Sequence, residues 1–319
     1  MLEVSSKLGP AMALPSLLRL ILLAAIWGSS FLFMRVLSPV MGALSVAAGR
    51  VAFASLGLWL LLRWWRLAIP SGPRWRAALW LGVISSAIPF LMYSLAAHAL
   101  PAGYSAMFNA TTPLMAVVVG GLAFGERLAP ARLGGLLLGL AGVAVLLQTG
   151  PVALTPAVLL GGGMCLLATT CYALSGYLTR RWIGEQGGMD SRLVALGSQL
   201  GATAVLLPLW LLSLRWQPLP FGALDAGHWL AWLALGLLCT AAAYVLYFRL
   251  IADEGPLKAM SVTFVIPVFG VLWGVLFLHE ALSGAHLAGG VLIGLRYGWW
   301  CANRRRNEKR LAAANLLAG

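Results

Sequence analysis

The sequence predicts an all-α integral membrane protein whose ten transmembrane helices form two inverted five-helix repeats. Three observations predict it. Hydrophobic residues make up 61% of the 319 residues and charged residues 10%, against about 45–50% and 25% in soluble domains. The Lys and Arg residues fall almost wholly on one side of the apolar segments, and the chain matches itself at a long offset. So few charges cannot cover two soluble domains, which excludes a soluble enzyme and makes lipid the main solvent.

Apolar windows between charges and breakers give ten spans, at about 17–37, 42–62, 74–97, 101–124, 130–149, 157–178, 190–213, 227–250, 256–278 and 285–302. At about 20 residues each, they leave only short connections and no sizeable soluble domain. Runs this uniformly apolar are helices, since lipid satisfies no backbone group and barrel strands would alternate. The first run follows Lys7, Pro10 and Pro15 and reads as a retained span rather than a cleaved signal.

With the amino terminus inside, the cations lie on the cytoplasmic side except Arg35 and Arg215 opposite and Arg50 and Arg296 within spans. That asymmetry calls for an even number of spans with both termini cytoplasmic, in a plasma (bacterial inner) membrane. Residues 304–319, with Arg304, Arg305, Arg306, Lys309 and Arg310, form a basic cytoplasmic tail. It reads as a topology anchor, so the partners called for are the lipid bilayer and a small-molecule substrate, with no nucleic acid. Trp64, Trp65, Trp75, Trp216, Trp229, Trp299 and Trp300 sit near span ends as interfacial anchors. Cys165, Cys171, Cys239 and Cys301 show no CxxC pair and no metal-ligand spacing, and no cofactor or metal is called for.

Shifting the chain by 154 positions aligns residues 75–135 with 229–289 without a gap. Trp75 meets Trp229, Gly82 meets Gly236, Tyr93 meets Tyr247, Pro113 meets Pro267, Gly120 meets Gly274, Glu126 meets Glu280 and Gly135 meets Gly289. A weaker match at 145 pairs Trp27, Ser30 and Arg35 with Tyr172, Ser175 and Arg180. The chain thus divides into a first repeat, 1–150, a second, 151–303, and the tail. Five is odd, so equivalent helices cross in opposite senses, and inverted repeats are a recurring basis for alternating access. A transporter follows as the natural expectation, although a fold alone does not establish function.

Several motifs resemble a known group: Trp27-Gly28-Ser29-Ser30-Phe31 in the first span, Arg50 in the second, and Asn109-Ala110-Thr111-Thr112-Pro113 followed by Phe124-Gly125-Glu126-Arg127-Leu128. The second copy reads Val265-Ile266-Pro267 and then Leu278-His279-Glu280-Ala281-Leu282. In these the chain resembles the ten-helix EamA-type branch of the drug/metabolite transporter superfamily over nearly its whole length. The resemblance implies a plasma-membrane carrier, often an exporter of amino acids or other small metabolites, with a central cavity between the halves. Arg296-Tyr297 departs from it, because similar proteins continue apolar there.

A mid-span proline removes a hydrogen bond and displaces the carbonyl four residues earlier. For Pro113 and Pro267 those carbonyls belong to Asn109 and Thr263, so each half is expected to present a helix break with a polar side chain, Thr112 adjoining the first. Such breaks line cavities in repeat-built carriers, or are packing kinks satisfied by neighbours. Trp27 is too deep for the interfacial belt; with Ser30 one turn on and Tyr172 as its equivalent, it faces a substrate cavity or is plain core. Tyr93 and Tyr247 carry the same two readings. Arg50 is roughly 12 Å into its span, where arginine costs about 2.5–3.5 kcal/mol on insertion scales. It needs a partner, structural or substrate, because no span interior holds a carboxylate. Glu126 and Glu280 are gate candidates pairing with Arg or His, or simply mark span ends in water. Gly135 and Gly139, with Gly290, Gly294 and Gly298, suit scaffold packing and leave a homodimer open.

The resulting expectation is an alternating-access transporter exporting small amphipathic metabolites, amino acids or derivatives foremost. The alternatives are a membrane-embedded enzyme on lipid-linked substrates, a cation-coupled multidrug exporter and a channel. His279-Glu280 with His286 lacks the HExxH spacing of a metal enzyme, and no acidic residue stands in the first span to exchange a cation for a proton.

Overall fold

The computed structural model describes residues 12–126, 134, 141–142, 145 and 152–284. Within them the chain is helical. α1 is Leu14–Met41, α2 Ala43–Trp64, α3 Pro73–Ala96, α4 Ala102–Asn109 and α5 Thr112–Phe124. In the second half α6 is Pro156–Trp182, α7 Ser191–Ser213, α8 Ala226–Glu254, α9 Pro256–Ala259 and α10 Val262–Leu278. Among the described residues six helices are long and apolar enough to span a bilayer, and a seventh span results if α4 and α5, bent by 41°, count as one. The predicted fifth and tenth spans, with Gly135, Gly139, Gly290, Gly294, Gly298 and Arg296, lie outside the described residues or almost wholly so.

Local chemistry explains the helix ends. Thr155, Asp190 and Asp225 precede α6, α7 and α8, and their side chains accept the amides of Val158, Arg192 and His228, satisfying donors that have no partner inside the helix. The amide of His228 at 2.9 Å, with its ring beside it, holds the Asp225 carboxyl below its usual range. Only Gly42 separates α1 from α2, and its φ of 80° is a backbone state that a side chain would strain.

Two features were invisible in the hydropathy pattern. α3 contains a π-helical turn at Val83–Ala87 and α8 one at Leu237–Ala242, which coincide under the 154-residue shift. In α3, Pro89 has no N–H to give the carbonyl of Ser85; in α8, the Thr240 hydroxyl donates to the carbonyl of Leu235 five residues back, at 3.0 Å.

The halves interlock rather than lie side by side. α2 packs along α7, where Ser55 and Thr203 share a hydrogen bond of 2.9 Å. α3 meets α7 at backbone contact: a Cβ on Gly82 would stand 1.8 Å from the carbonyl oxygen of Ser198, and one on Gly201 1.8 Å from that of Leu79. α2 meets α8 through Gly49, which lies beneath the Trp232 ring. α1 lies on α10, and α6 on α5, so each half's first helix packs on the other half.

Candidate functional site

The aromatic residues chosen from the sequence meet in matched pairs across the two halves. Trp27 of α1 packs on Tyr247 of α8 with centroids 5.3 Å apart, and Tyr172 of α6 stacks near Tyr93 of α3 at 6.3 Å. Trp27 and Tyr172 are repeat partners, as are Tyr93 and Tyr247, so one contact occurs twice. Tyr93, 2% exposed, donates to Asn109 Oδ1 at 3.2 Å.

Asn109 closes α4 at the break before Pro113, where the backbone turns with i→i+3 bonds from Ala110 and Thr111. The Asn109 carbonyl, denied an amide by Pro113, accepts the Thr112 hydroxyl at 2.7 Å. Thr112→Val should leave that carbonyl without its hydroxyl and lower stability by about 1–3 kcal/mol, read as a fall in melting temperature in detergent.

The second half differs. α10 runs unbroken through Pro267, and the chain turns earlier, at Met260 and Ser261. A helix break was expected at Pro267, and this is a correction: the amides of Ser261, Thr263 and Phe264 bond in i→i+3 steps upstream of it. Thr263 donates its hydroxyl to the Met260 carbonyl at 2.9 Å, so its polar group serves the turn.

Arg50 is 6% exposed. Its Nε donates to the Thr240 hydroxyl at 3.1 Å, and its terminal nitrogens reach Ser30 Oγ at 3.5 Å and Met34 Sδ at 3.7 Å. The guanidinium lies over the Phe90 ring, 3.7 Å from its centroid, a cation–π contact. The π turns build this site: Ser86 and Thr240 stand at equivalent positions in them, and Phe90 and Tyr244 follow one turn on. Gln199 of α7 donates to Ser86 at 2.8 Å. Sequence reasoning found Arg50 and Ser30 but missed Ser86, Phe90, Gln199, Thr240 and Tyr244. The paired hydroxyls at the 154-residue shift were the available signal.

Glu280 accepts the amides of Ala102 and Gly103 at 2.7 and 3.2 Å, through its two oxygens. It therefore anchors the first turn of α4, where amide dipoles favour an anion, rather than an Arg or His. A Cβ on Gly274 would lie 2.2 Å from the same carboxylate, so the glycine makes its room. Glu126 and Glu280 follow identical helix ends: each amide bonds the carbonyl six residues back, Gly120 and Gly274, after a left-handed residue, Gly125 and His279. Glu280→Ala should cost about 1 kcal/mol of stability, with Glu280→Gln costing less, in thermal melts.

Known proteins resemble the chain throughout. It is 31% identical to Protein RarD of Streptomyces exfoliatus over 90% of each chain, and 29% identical to Protein PecM of Dickeya dadantii over 70% of this chain and 72% of that one. An uncharacterized transporter of Archaeoglobus fulgidus is 26% identical over 86% of this chain and 93% of its own. One crystal structure superposes with a TM-score of 0.64 at 21% identity, covering 92% of this chain and 99% of its own, which establishes the likeness of fold. The EamA-like transporter family matches residues 14–148 and again residues 159–295. The chain therefore belongs to the EamA-like transporter family, as a multi-pass membrane transporter of the drug/metabolite type and not an enzyme.

Proposed function

We propose that the protein is an alternating-access carrier of ten spans, built from two inverted five-helix halves, that exports small amphipathic metabolites from the cytoplasm. Amino acids or their derivatives are the leading class. The bacterial inner membrane with both termini cytoplasmic is the proposed setting, on the side preference of Lys and Arg.

The observation that carries this reading is the duplicated aromatic contact, Trp27 on Tyr247 and Tyr172 near Tyr93, spanning the halves, with Tyr172 in electrostatic reach of the buried Arg50. A site made equally by both halves can open to either face by rocking one against the other. Asn109, held by Tyr93, and Thr112 flank it at the break before Pro113, and Glu126 is the proposed gate at one end, while Glu280 holds the first turn of α4.

Purified protein in liposomes loaded with a labelled metabolite panel should show saturable counterflow of at least one member. Absence of flux from folded protein would overturn the carrier reading. Tags beside Glu126 and Glu280 should be accessible from opposite sides of the membrane. Labelling from one side alone would sink the inversion.

A further inference from the structure

A cation without an acid is the unusual feature of the interior. Arg50 keeps its charge at any physiological pH, yet Thr240, Ser30, Met34 and the Phe90 ring, which it contacts, are all neutral. Of the acidic residues the structure describes, Glu126, Glu185, Asp190, Asp225 and Glu280 stand outside the spanning helices, and Asp253 and Glu254 lie in the last turn of α8, paired with Arg19, Arg249 and Lys258. Among the described residues no acidic side chain therefore neutralises Arg50 within the apolar interior.

An acceptor without a donor lies in the same cluster. Gln199 is fully buried, its Nε2 spent on Ser86 and its Oε1 without a partner. Whichever way the amide is turned, Ser86 satisfies one end only. Ser86 also lies beside Tyr244, which is within electrostatic range of Arg50, and Phe90, one turn after Ser86, covers the guanidinium. A buried charge without a counter-charge and a buried polar atom without a partner are both expensive, so the two in one cluster describe their missing complement. It carries an anionic oxygen pair for Arg50, a neutral N–H or O–H for Gln199 Oε1 and an apolar body for the aromatic walls. An ammonium would set a second positive charge beside Arg50 with nothing to offset it.

Building on the carrier reading above, we infer that the cluster of Arg50, Gln199, Ser86, Thr240, Tyr244 and Phe90 binds a small monocarboxylate anion bearing a neutral hydrogen-bond donor, such as an N-acylated amino acid. Transport then moves one net negative charge. The inside-negative membrane potential expels that anion, which sets the direction as export and requires no coupling ion.

Three labelled probes sharing one benzyl group test this in liposomes holding the full chain under a potassium diffusion potential: N-acetylphenylalanine, phenylalanine and phenethylamine. Potential supplies about 2.3 kcal/mol per charge per 100 mV, so the steady gradient of N-acetylphenylalanine should change by about 50-fold per 100 mV, with faster efflux when the interior is negative. Phenylalanine and phenethylamine should move at least tenfold more slowly. Gln199→Met should erase a preference for N-acetylphenylalanine over 3-phenylpropionate, which has no N–H, while keeping the response to potential. If phenylalanine moves as fast as the anion, or the anion's gradient ignores the potential, this inference falls and the carrier reading stands. If no member of the wider panel moves through folded protein, both fall together.

Discussion

Arg50→Ala should yield folded protein that has lost at least tenfold of its transport of anionic solutes, with neutral solutes affected less. Two opposing terms keep the fold nearly level. Removing the charge relieves an insertion cost of about 2.5–3.5 kcal/mol, while losing the charge-assisted bond to Thr240 at 3.1 Å takes away about 1.5–3 kcal/mol. Transport has no such offset, since Arg50 is the charged side chain at the centre of the cluster, and tenfold corresponds to only about 1.4 kcal/mol. The paired measurements are the melting temperature in detergent and the flux of matched anionic and neutral solutes in liposomes. Equal loss for both solutes, accompanied by a lower melting temperature, would assign Arg50 to structure alone.

Gly201→Ala and Gly82→Ala should be the most damaging single methyl additions among the described glycines. At each the new carbon would stand 1.8 Å from a backbone carbonyl oxygen of the opposing helix, Leu79 and Ser198 respectively. Backbone cannot swing aside as a side-chain tip can, so α3 and α7 must separate along their length. The cost should meet or exceed the upper end of the 1–3 kcal/mol typical of overpacking. Size-exclusion profiles and thermal melts should show little monodisperse protein. By contrast Gly163→Ala, with nothing near its added carbon, should behave as wild type, and similar behaviour at Gly201 would discredit the close contact of α3 with α7.

The sequence was informative where the signal is additive along the chain. α1, α2, α3, α6, α7 and α8 fall within a few residues of their apolar windows, because lipid exposure leaves a run of hydrophobic residues that summation detects. The pairing of Trp27 with Tyr247 and of Tyr172 with Tyr93 was half legible: the repeat named all four residues, but not that each contact crosses between halves. The π turns were not legible, since the two serines of Val83–Ala87 are too few to interrupt an apolar window and a widened turn leaves no mark in hydropathy. Gln199 and Tyr244 escaped because one polar atom in an apolar window acquires meaning only from what the fold brings to it. Glu280 was singled out for its position, yet its partners, the amides of Ala102 and Gly103, are backbone groups 178 and 177 residues away. Pro267 misled because a proline accommodated inside α10 looks, in sequence, like the one that follows the break at Asn109.

The π turns in α3 and α8 also bear on how genes of this kind diverge. Each such turn is one residue too long for a regular helix, so a one-codon deletion within Val83–Ala87 or Leu237–Ala242 would restore ordinary winding instead of breaking the rod. Because the wide turn already absorbs the roughly 100° that one extra residue would add, Phe90 and Tyr93, or Tyr244 and Tyr247, would keep their headings, while Ser86 or Thr240 inside the turn would be displaced. In-frame deletions at these two places are thus a short mutational route to a carrier with a rebuilt arginine site on an intact scaffold.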